Sequence, residues 1–152
     1  GKTIYNSYER MMLVKVKQIM TTDVSTVAPN DTVTKAASIM KQLNVGSVPV
    51  TDGNRVVGMI TDRDITLRGV AKGGDPNQKI MEVMTSDIKY ATPDMDVHAV
   101  ADLMAENQVR RLPVIDNDKL VGIVAIGDLA VENIFENEAG EALHNISMGV
   151  RH

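Results

Sequence analysis

The chain repeats itself at an offset of 64 residues, and no other feature constrains its fold as strongly. Residues 19–67 align with residues 83–131 without a gap, and 14 of the 49 aligned pairs are identical. Chance agreement for ordinary composition would give about three or four identical pairs. Each copy alone is too short to bury enough apolar surface for a stable fold, so we expect the two copies to pack together.

Each copy begins with a short strand candidate and a helix. Residues 25–27 form the strand candidate of the first copy, and Pro29 ends it. Asp31 or Thr32 can then cap a helix whose apolar residues recur three and four positions apart. These residues are Val33, Ala36, Ala37, Met40 and Leu43 in the first copy, and Val97, Val100, Ala101, Leu103 and Met104 in the second.

A hairpin and a second helix complete each copy. Short apolar strands flank Asp52-Gly53-Asn54 in the first copy and Asn117-Asp118 in the second, and these residue types suit tight hairpin turns. A further helix is predicted near 62–70 and near 128–136. The order of elements is β-α-β-β-α in each copy. This order predicts a mixed α/β (α+β) fold of two repeats related by a pseudo-twofold axis.

The repeat and the breaker-rich composition between its copies predict the domain boundaries. Glycine and proline between the copies indicate a linker. The chain begins with Gly1 rather than Met, so we expect its first ten residues to be a tag or an upstream extension. The predicted segments are a leader at 1–15, a first repeat at 16–71, a linker at 72–79, a second repeat at 80–135 and a tail at 136–152.

Composition argues against several classes of function. The chain has no Cys, which excludes a disulfide framework, a thiolate nucleophile and a Cys-based zinc site. A formal net charge of −4 and 3% aromatic residues argue against binding to nucleic acid. No apolar run approaches the roughly 20 residues of a membrane span, and no secretory signal is recognisable. We therefore expect a cytoplasmic protein without nucleic-acid or membrane partners.

The segment from Gly58 to Asp64 contains the first candidate binding site. A buried strand is predicted to end at Thr61, where a helix begins. Thr61 and Asp64 then have the spacing of a capping box, which needs no ligand. The same hydroxyl and carboxylate can also bind the vicinal hydroxyls of a ribose, while the helix start favours an anion. Both interpretations stay open on this segment alone.

Two adjacent arginines form the second candidate. Arg110 and Arg111 lie where a helix gives way to a strand, and the first copy has Gly46 and Ser47 at the same positions. Cations at a helix end suit the helix dipole and need no ligand. Guanidinium groups also bind phosphate through bidentate, charge-assisted hydrogen bonds. The copies therefore differ at a position that matters for anions.

The chain shows no recognisable catalytic constellation. His98, His144 and His152 are scattered and have no metal-ligand spacing, so we expect neither a metal site nor catalytic residues. The second copy retains Asp128 but has Ala125 in place of the hydroxyl of Thr61. That copy cannot make the same complete cap or the same ribose contact.

These motifs resemble those of tandem CBS-domain proteins, whose paired repeats form a Bateman module. The resemblance covers about residues 16–135 and rests on residues 19–21, 48–50 and 57–64, with their copies at 83–131. The chain is similar to stand-alone bacterial CBS-pair proteins, some of which are linked to stress or hypoxia responses. The resemblance implies a regulatory homodimer that senses an adenosine compound, such as AMP, ADP, ATP or an S-adenosyl compound, in a cleft between two repeats.

The resemblance also implies one complete cleft and one weaker cleft. Thr61 and Asp64 match positions that bind ribose. Arg110 and Arg111 match positions that contact phosphate from the opposite repeat. The remaining residues of the first cleft are Met59, Ile60 and Asp62, with Lys89 and Tyr90 where the adenine pocket is built. The weaker cleft would use Asp128, Ala125, Gly46, Ser47 and Arg63.

Two classes of function follow from these expectations. The first is a binding module that takes an adenine nucleotide as its ligand, without any catalytic cofactor. The second is a homodimeric scaffold or regulatory subunit that acts through protein contacts and binds no adenosine compound. An enzyme has little support, because the usual acid, base and metal groups are not recognisable in the sequence.

Overall fold

The structure is a computed structural model that describes Asn6 and residues 14–131. The predicted tail, most of the predicted leader and the end of the helix predicted near 128–136 lie outside the described residues. The helices are α1 (Val16–Ile19), α2 (Val33–Leu43), α3 (Asp62–Asp64), α4 (Val97–Asn107) and α5 (Ile126–Val131), and the strands are β1 (Ser47–Asp52), β2 (Arg55–Thr61), β3 (Arg111–Asp116) and β4 (Lys119–Ala125). Helix and strand are mixed as the α+β prediction requires.

The described residues divide into two compact units. The first-repeat unit comprises residues 23–88 and 117–120. The second-repeat unit comprises residues 14–22, 89–116 and 121–131. Each unit contains one long helix and one hairpin-forming pair of strands, in line with the internal repeat.

The long helices α2 and α4 form where the apolar spacing predicts them. The hydroxyl of Thr32 accepts a hydrogen bond from the Lys35 amide, and Asp96 does the same for Ala99, so each helix begins at a polar cap. The buried stripe of α2 is narrower than predicted, because Ala37 is exposed and Leu43 is 51% exposed. The residues that α2 and α4 bury are Val33, Ala36 and Met40 in the first, and Val97, Val100, Ala101 and Met104 in the second.

The strands follow each other closely through tight turns. Asp52 pairs with Arg55 across the first turn, where Gly53 has a φ of 64°. Asn117 and Asp118 both have positive φ in the second turn, as a type I′ hairpin requires. β1 pairs with β2 in antiparallel fashion, and the pairing of Arg55 with Lys119 also lies within the first-repeat unit.

Two predicted elements are shorter or less regular than expected. The helix predicted near 62–70 is a single turn, α3, followed by a π-helix at Ile65–Gly69 and a 3₁₀ turn at Val70–Lys72. The strand predicted at 25–27 contributes one parallel bridge, from Val27 to Val50. Both elements are too short for periodicity to define their limits, so local hydrogen bonding decides them.

Each unit buries the segment that begins the other repeat. Val16, from α1, is fully buried in the core of the second-repeat unit with the apolar face of α4. Ile80 and Val83 are buried in the core of the first-repeat unit beside the apolar face of α2. These positions correspond at the 64-residue offset, since Val16 aligns with Ile80. Burying one such side chain stabilises a unit by about 1.5–3 kcal/mol.

Candidate functional site

The junction between β2 and α3 is built by a reciprocal pair of hydrogen bonds. The Asp64 amide donates to the Thr61 hydroxyl over 3.0 Å, and the Thr61 amide donates to Asp64 Oδ2 over 3.0 Å. The backbone of Thr61 is extended, as an N-cap residue requires. The capping interpretation of these two residues is therefore confirmed, and it fixes where their side chains lie.

Asp64 is buried, with 6% of its surface exposed, and it has further partners. The Thr85 hydroxyl lies 3.1 Å from Oδ1 and 3.3 Å from Oδ2 of Asp64. The Arg68 guanidinium lies 3.5 Å from Oδ1 as an ion pair. A buried carboxylate needs such donors, because removal from water disfavours its charge. A carboxylate offers about four lone-pair positions, so these partners do not use its full accepting capacity.

Other predicted site residues surround the same junction. The Asp62 amide donates to the Gly46 carbonyl over 3.0 Å, and Ser47 pairs with Thr61 across β1 and β2. A Cβ atom on Gly46 would lie 3.2 Å from Asp62 Oδ2, so a side chain there would crowd the carboxylate. Arg63 is exposed at the start of α3. Ahead of the junction, Ile60 is buried and Met59 is half-buried.

The second-repeat unit repeats this junction with different chemistry. The Ile126 amide donates to the Arg110 carbonyl over 2.9 Å, in the position that Asp62 and Gly46 occupy in the first-repeat unit. The Ala125 amide donates to Asp128 Oδ2 over 2.8 Å. This unit thus keeps the carboxylate half of the capping box and lacks the hydroxyl half, as the sequence predicts.

Three cationic residues lie close to the beginning of β3 in the second-repeat unit. Ala91 forms a parallel bridge with Val114, and its amide donates to the Pro113 carbonyl over 2.9 Å. Because the bridge is parallel, Lys89 and Tyr90 run beside the beginning of β3, where the chain carries its two adjacent arginines. Lys89 and Arg110 are exposed, Arg111 is half-buried, and Tyr90 is 47% exposed.

The predicted site residues therefore fall into two groups, one in each unit. The first-repeat unit holds Met59, Ile60, Thr61, Asp62, Arg63, Asp64, Gly46 and Ser47. The second-repeat unit holds Lys89, Tyr90, Arg110, Arg111, Ala125 and Asp128. The first group lies around the junction of β2 and α3. In the second group, Arg110, Ala125 and Asp128 lie at the junction of β4 and α5. That a single ligand meets Thr61 and Asp64 together with the two arginines stays a prediction.

Sequence reasoning missed Thr85 and Arg68. Thr85 belongs to the Met-Thr pair that recurs at positions 20–21 and 84–85, which was a signal of the repeat without an assigned role. The structure gives it one, because backbone hydrogen bonds with Met59 place its hydroxyl beside the Asp64 carboxylate. Arg68 lies on the π-helix four residues after Asp64, a spacing that could have signalled the ion pair.

No group of three or more metal-ligating side chains occurs in the part of the chain that the structure describes. Within the same residues, none of the helices has both the length and the apolar character needed to cross a membrane.

Comparison with known proteins identifies the family. The CBS domain family model matches the chain twice, at residues 16–69 and 80–132, and the chain belongs to the CBS domain family. CBS domain-containing protein YhcV of Bacillus subtilis is 50% identical over 132 residues, which is 87% of this chain and 94% of that protein. The chain is a CBS-pair regulatory module, a kind of protein that is generally not catalytic.

Solved structures extend the comparison. The crystal structure of Hypoxic Response Protein I with two coordinated zinc ions has a TM-score of 0.71 at 37% identity, covering 78% of this chain and 98% of the other. The CBS domain pair of protein MJ0100, in complex with 5′-methylthioadenosine and S-adenosyl-L-methionine, has a TM-score of 0.68 at 30% identity. It covers 79% of this chain and 95% of the other.

Proposed function

We propose that this protein binds an adenosine compound, such as AMP, ADP or ATP, and regulates a partner in response. The observation that carries the proposal is the pre-formed Thr61–Asp64 junction, where a buried carboxylate with spare accepting capacity lies at a helix start. The two adenosine compounds bound by the CBS pair of protein MJ0100 support the same class of ligand.

In this proposal the two groups of residues divide the ligand between them. The ribose hydroxyls donate hydrogen bonds to Asp64. The Thr61 hydroxyl and nearby backbone amides make further hydrogen bonds to the ligand. Arg110 and Arg111 hold the phosphate, and Lys89 and Tyr90 contact the adenine. The ligand regulates by binding one conformation of a homodimer more tightly than another, since a ligand shifts only states that it distinguishes.

Titration calorimetry with AMP, ADP and ATP tests the proposal. We expect at least one of them to bind, and Asp64→Asn to weaken that binding by about tenfold or more, because it removes a charge-assisted hydrogen bond. Asp128→Asn is the matched control, since it makes the same change in the repeat without the hydroxyl. An absence of heat with folded protein at millimolar ligand contradicts the proposal.

A second candidate function is a homodimeric scaffold or regulatory subunit that binds no adenosine compound. The near-complete burial of Asp64 and its three intramolecular partners favour this candidate, because they give the carboxylate a purely structural role. A mass spectrum of small molecules released from the purified protein separates the two. A nucleotide in that spectrum favours the binding module, and a stable co-purifying protein without nucleotide favours the scaffold.

A further inference from the structure

The Thr85 hydroxyl is held against Asp64 by the backbone. The Met59 amide donates to the Thr85 carbonyl over 2.9 Å, and the Thr85 amide donates to the Met59 carbonyl over 2.8 Å. This pair of hydrogen bonds fixes Thr85 beside Met59, which lies two residues before the Thr61 cap. A threonine side chain has few rotamers, so a fixed backbone limits the directions in which its hydroxyl can point.

Arg68 anchors the same segment from the other side. Its Nη1 lies 3.3 Å from the Val83 carbonyl and 3.2 Å from the Met84 carbonyl, and it forms the ion pair with Asp64. The carboxylate, the hydroxyl and the guanidinium therefore form one network within the first-repeat unit. These contacts hold the Asp64 carboxylate in one orientation.

The corresponding threonine of the other unit has no such role. Thr21 makes the same two backbone hydrogen bonds with Ile123, each of 2.8 Å. Among the described residues, however, the side chain of Asp128 accepts a hydrogen bond from the Ala125 amide alone. The repeat thus supplies two threonines in equivalent backbone positions, of which one is bonded to the aspartate.

We propose that Thr85 is a positioning residue that orients Asp64 for recognition of the ribose hydroxyls. This inference rests on the proposed function and deepens it. The Thr61 amide holds Oδ2, while the Thr85 hydroxyl and the Arg68 guanidinium hold Oδ1, so the accepting position that remains on Asp64 has a fixed direction. One particular ribose hydroxyl can donate along that direction, so Thr85 acts on discrimination between ribose and the deoxyribose that lacks that hydroxyl.

The experiment compares nucleotide pairs that differ in one hydroxyl. Calorimetry measures the affinities of AMP, ADP and ATP, and then of the 2′-deoxy and 3′-deoxy forms of the tightest binder. Thr85→Val keeps the shape and removes the hydroxyl, Thr85→Ser restores a hydroxyl, and Thr21→Val is the matched control in the other unit. Urea unfolding of each variant shows that it is folded.

We expect Thr85→Val to reduce the preference for ribose over deoxyribose by about threefold to tenfold, because Asp64 loses one of the donors that fix its orientation. Thr85→Ser should recover most of that preference, and Thr21→Val should leave it unchanged. A merely structural Thr85 would lower the affinities for both sugars equally, and that result would overturn the inference while leaving the proposed function intact. A wild-type protein that binds no adenosine compound would overturn both.

Discussion

Gly58 faces the backbone of Thr85 so closely that a Cβ atom on residue 58 would lie 2.7 Å from the Thr85 carbonyl oxygen. The same relationship recurs between Gly122 and the Thr21 carbonyl oxygen, at 2.8 Å. Gly58 and Gly122 align with each other at the 64-residue offset of the repeat. Each lets a segment that begins one repeat approach a strand of the other repeat, and the pairing places Thr85 beside Asp64.

Gly58→Ala should therefore destabilise the protein by about 1–3 kcal/mol, because the added methyl group meets backbone that cannot yield as a flexible side chain would. Urea unfolding at constant m-value measures the change. Gly127→Ala is the matched control, since none of the residues that the structure describes lies within 4 Å of its Cβ position on α5. We expect that variant to be neutral or up to about 1 kcal/mol more stable, because alanine favours a helix. Equal losses in both variants would contradict the close-approach explanation.

The sequence predicted the repeated architecture well because its signals are local and strong. The apolar spacing of α2 and α4, the caps at Thr32 and Asp96, and the glycine and asparagine of the tight turns each decide a conformation within a few residues. The Thr61–Asp64 capping box is of this kind. A motif three residues apart fixes its own geometry, so the structure contains it as predicted.

The remaining features depend on contacts between residues distant in the chain. No periodicity indicates that Val16 packs beside α4 or that Ile80 packs beside α2, since both lie in short segments. The π-helix after Asp64 and the bond from Thr85 depend on the same packing. The Met-Thr pairs were visible as a repeat, but only the side-chain hydrogen bond in the folded protein shows that Thr85 contacts Asp64.

The incomplete cap of the second repeat can be completed by a single substitution. Ala125→Thr should stabilise the protein by up to about 1 kcal/mol, because Asp128 already accepts from the residue 125 amide and the new hydroxyl adds the missing half. Thr61→Ala makes the converse change and should cost about 1 kcal/mol. The midpoints of urea unfolding report both changes. A destabilised Ala125→Thr variant would show that the half-buried site cannot accept the larger side chain.

The Asp31 carboxylate should stabilise the protein near neutral pH, and this contribution should be lost in acid. Its Oδ2 accepts from the Ala28 amide over 2.8 Å and from Lys35 Nζ over 3.1 Å. The Ala28 hydrogen bond, followed by that of Lys35, lowers the pKa of this carboxyl below its ordinary 3.8. A carboxyl group whose pKa is lower in the folded state than in the unfolded state stabilises the protein at pH values above its unfolded pKa. That stabilisation is lost as the pH falls through its folded pKa.

Asp31→Asn should therefore be less stable than the wild type at pH 6, and the difference should shrink as the pH falls below 3.8. Urea unfolding of both proteins at a series of pH values gives the difference in free energy of unfolding. Lys35→Gln is the control, because it removes the ion pair and leaves the larger cause, the Ala28 hydrogen bond. A difference between wild type and Asp31→Asn that stays constant from pH 6 to pH 2 would contradict the assignment.

The two arginines at the start of β3 should recognise phosphate and not adenosine. A guanidinium bound to phosphate makes charge-assisted hydrogen bonds worth about 1.5–3 kcal/mol each. Arg110→Gln and Arg111→Gln should each weaken AMP binding by about tenfold or more, while the affinity for adenosine itself stays unchanged. Lys119→Gln removes the same charge from the beginning of β4 and controls for a general electrostatic effect. If adenosine and AMP lost affinity equally, the arginines would be supporting the fold of the site and not contacting phosphate.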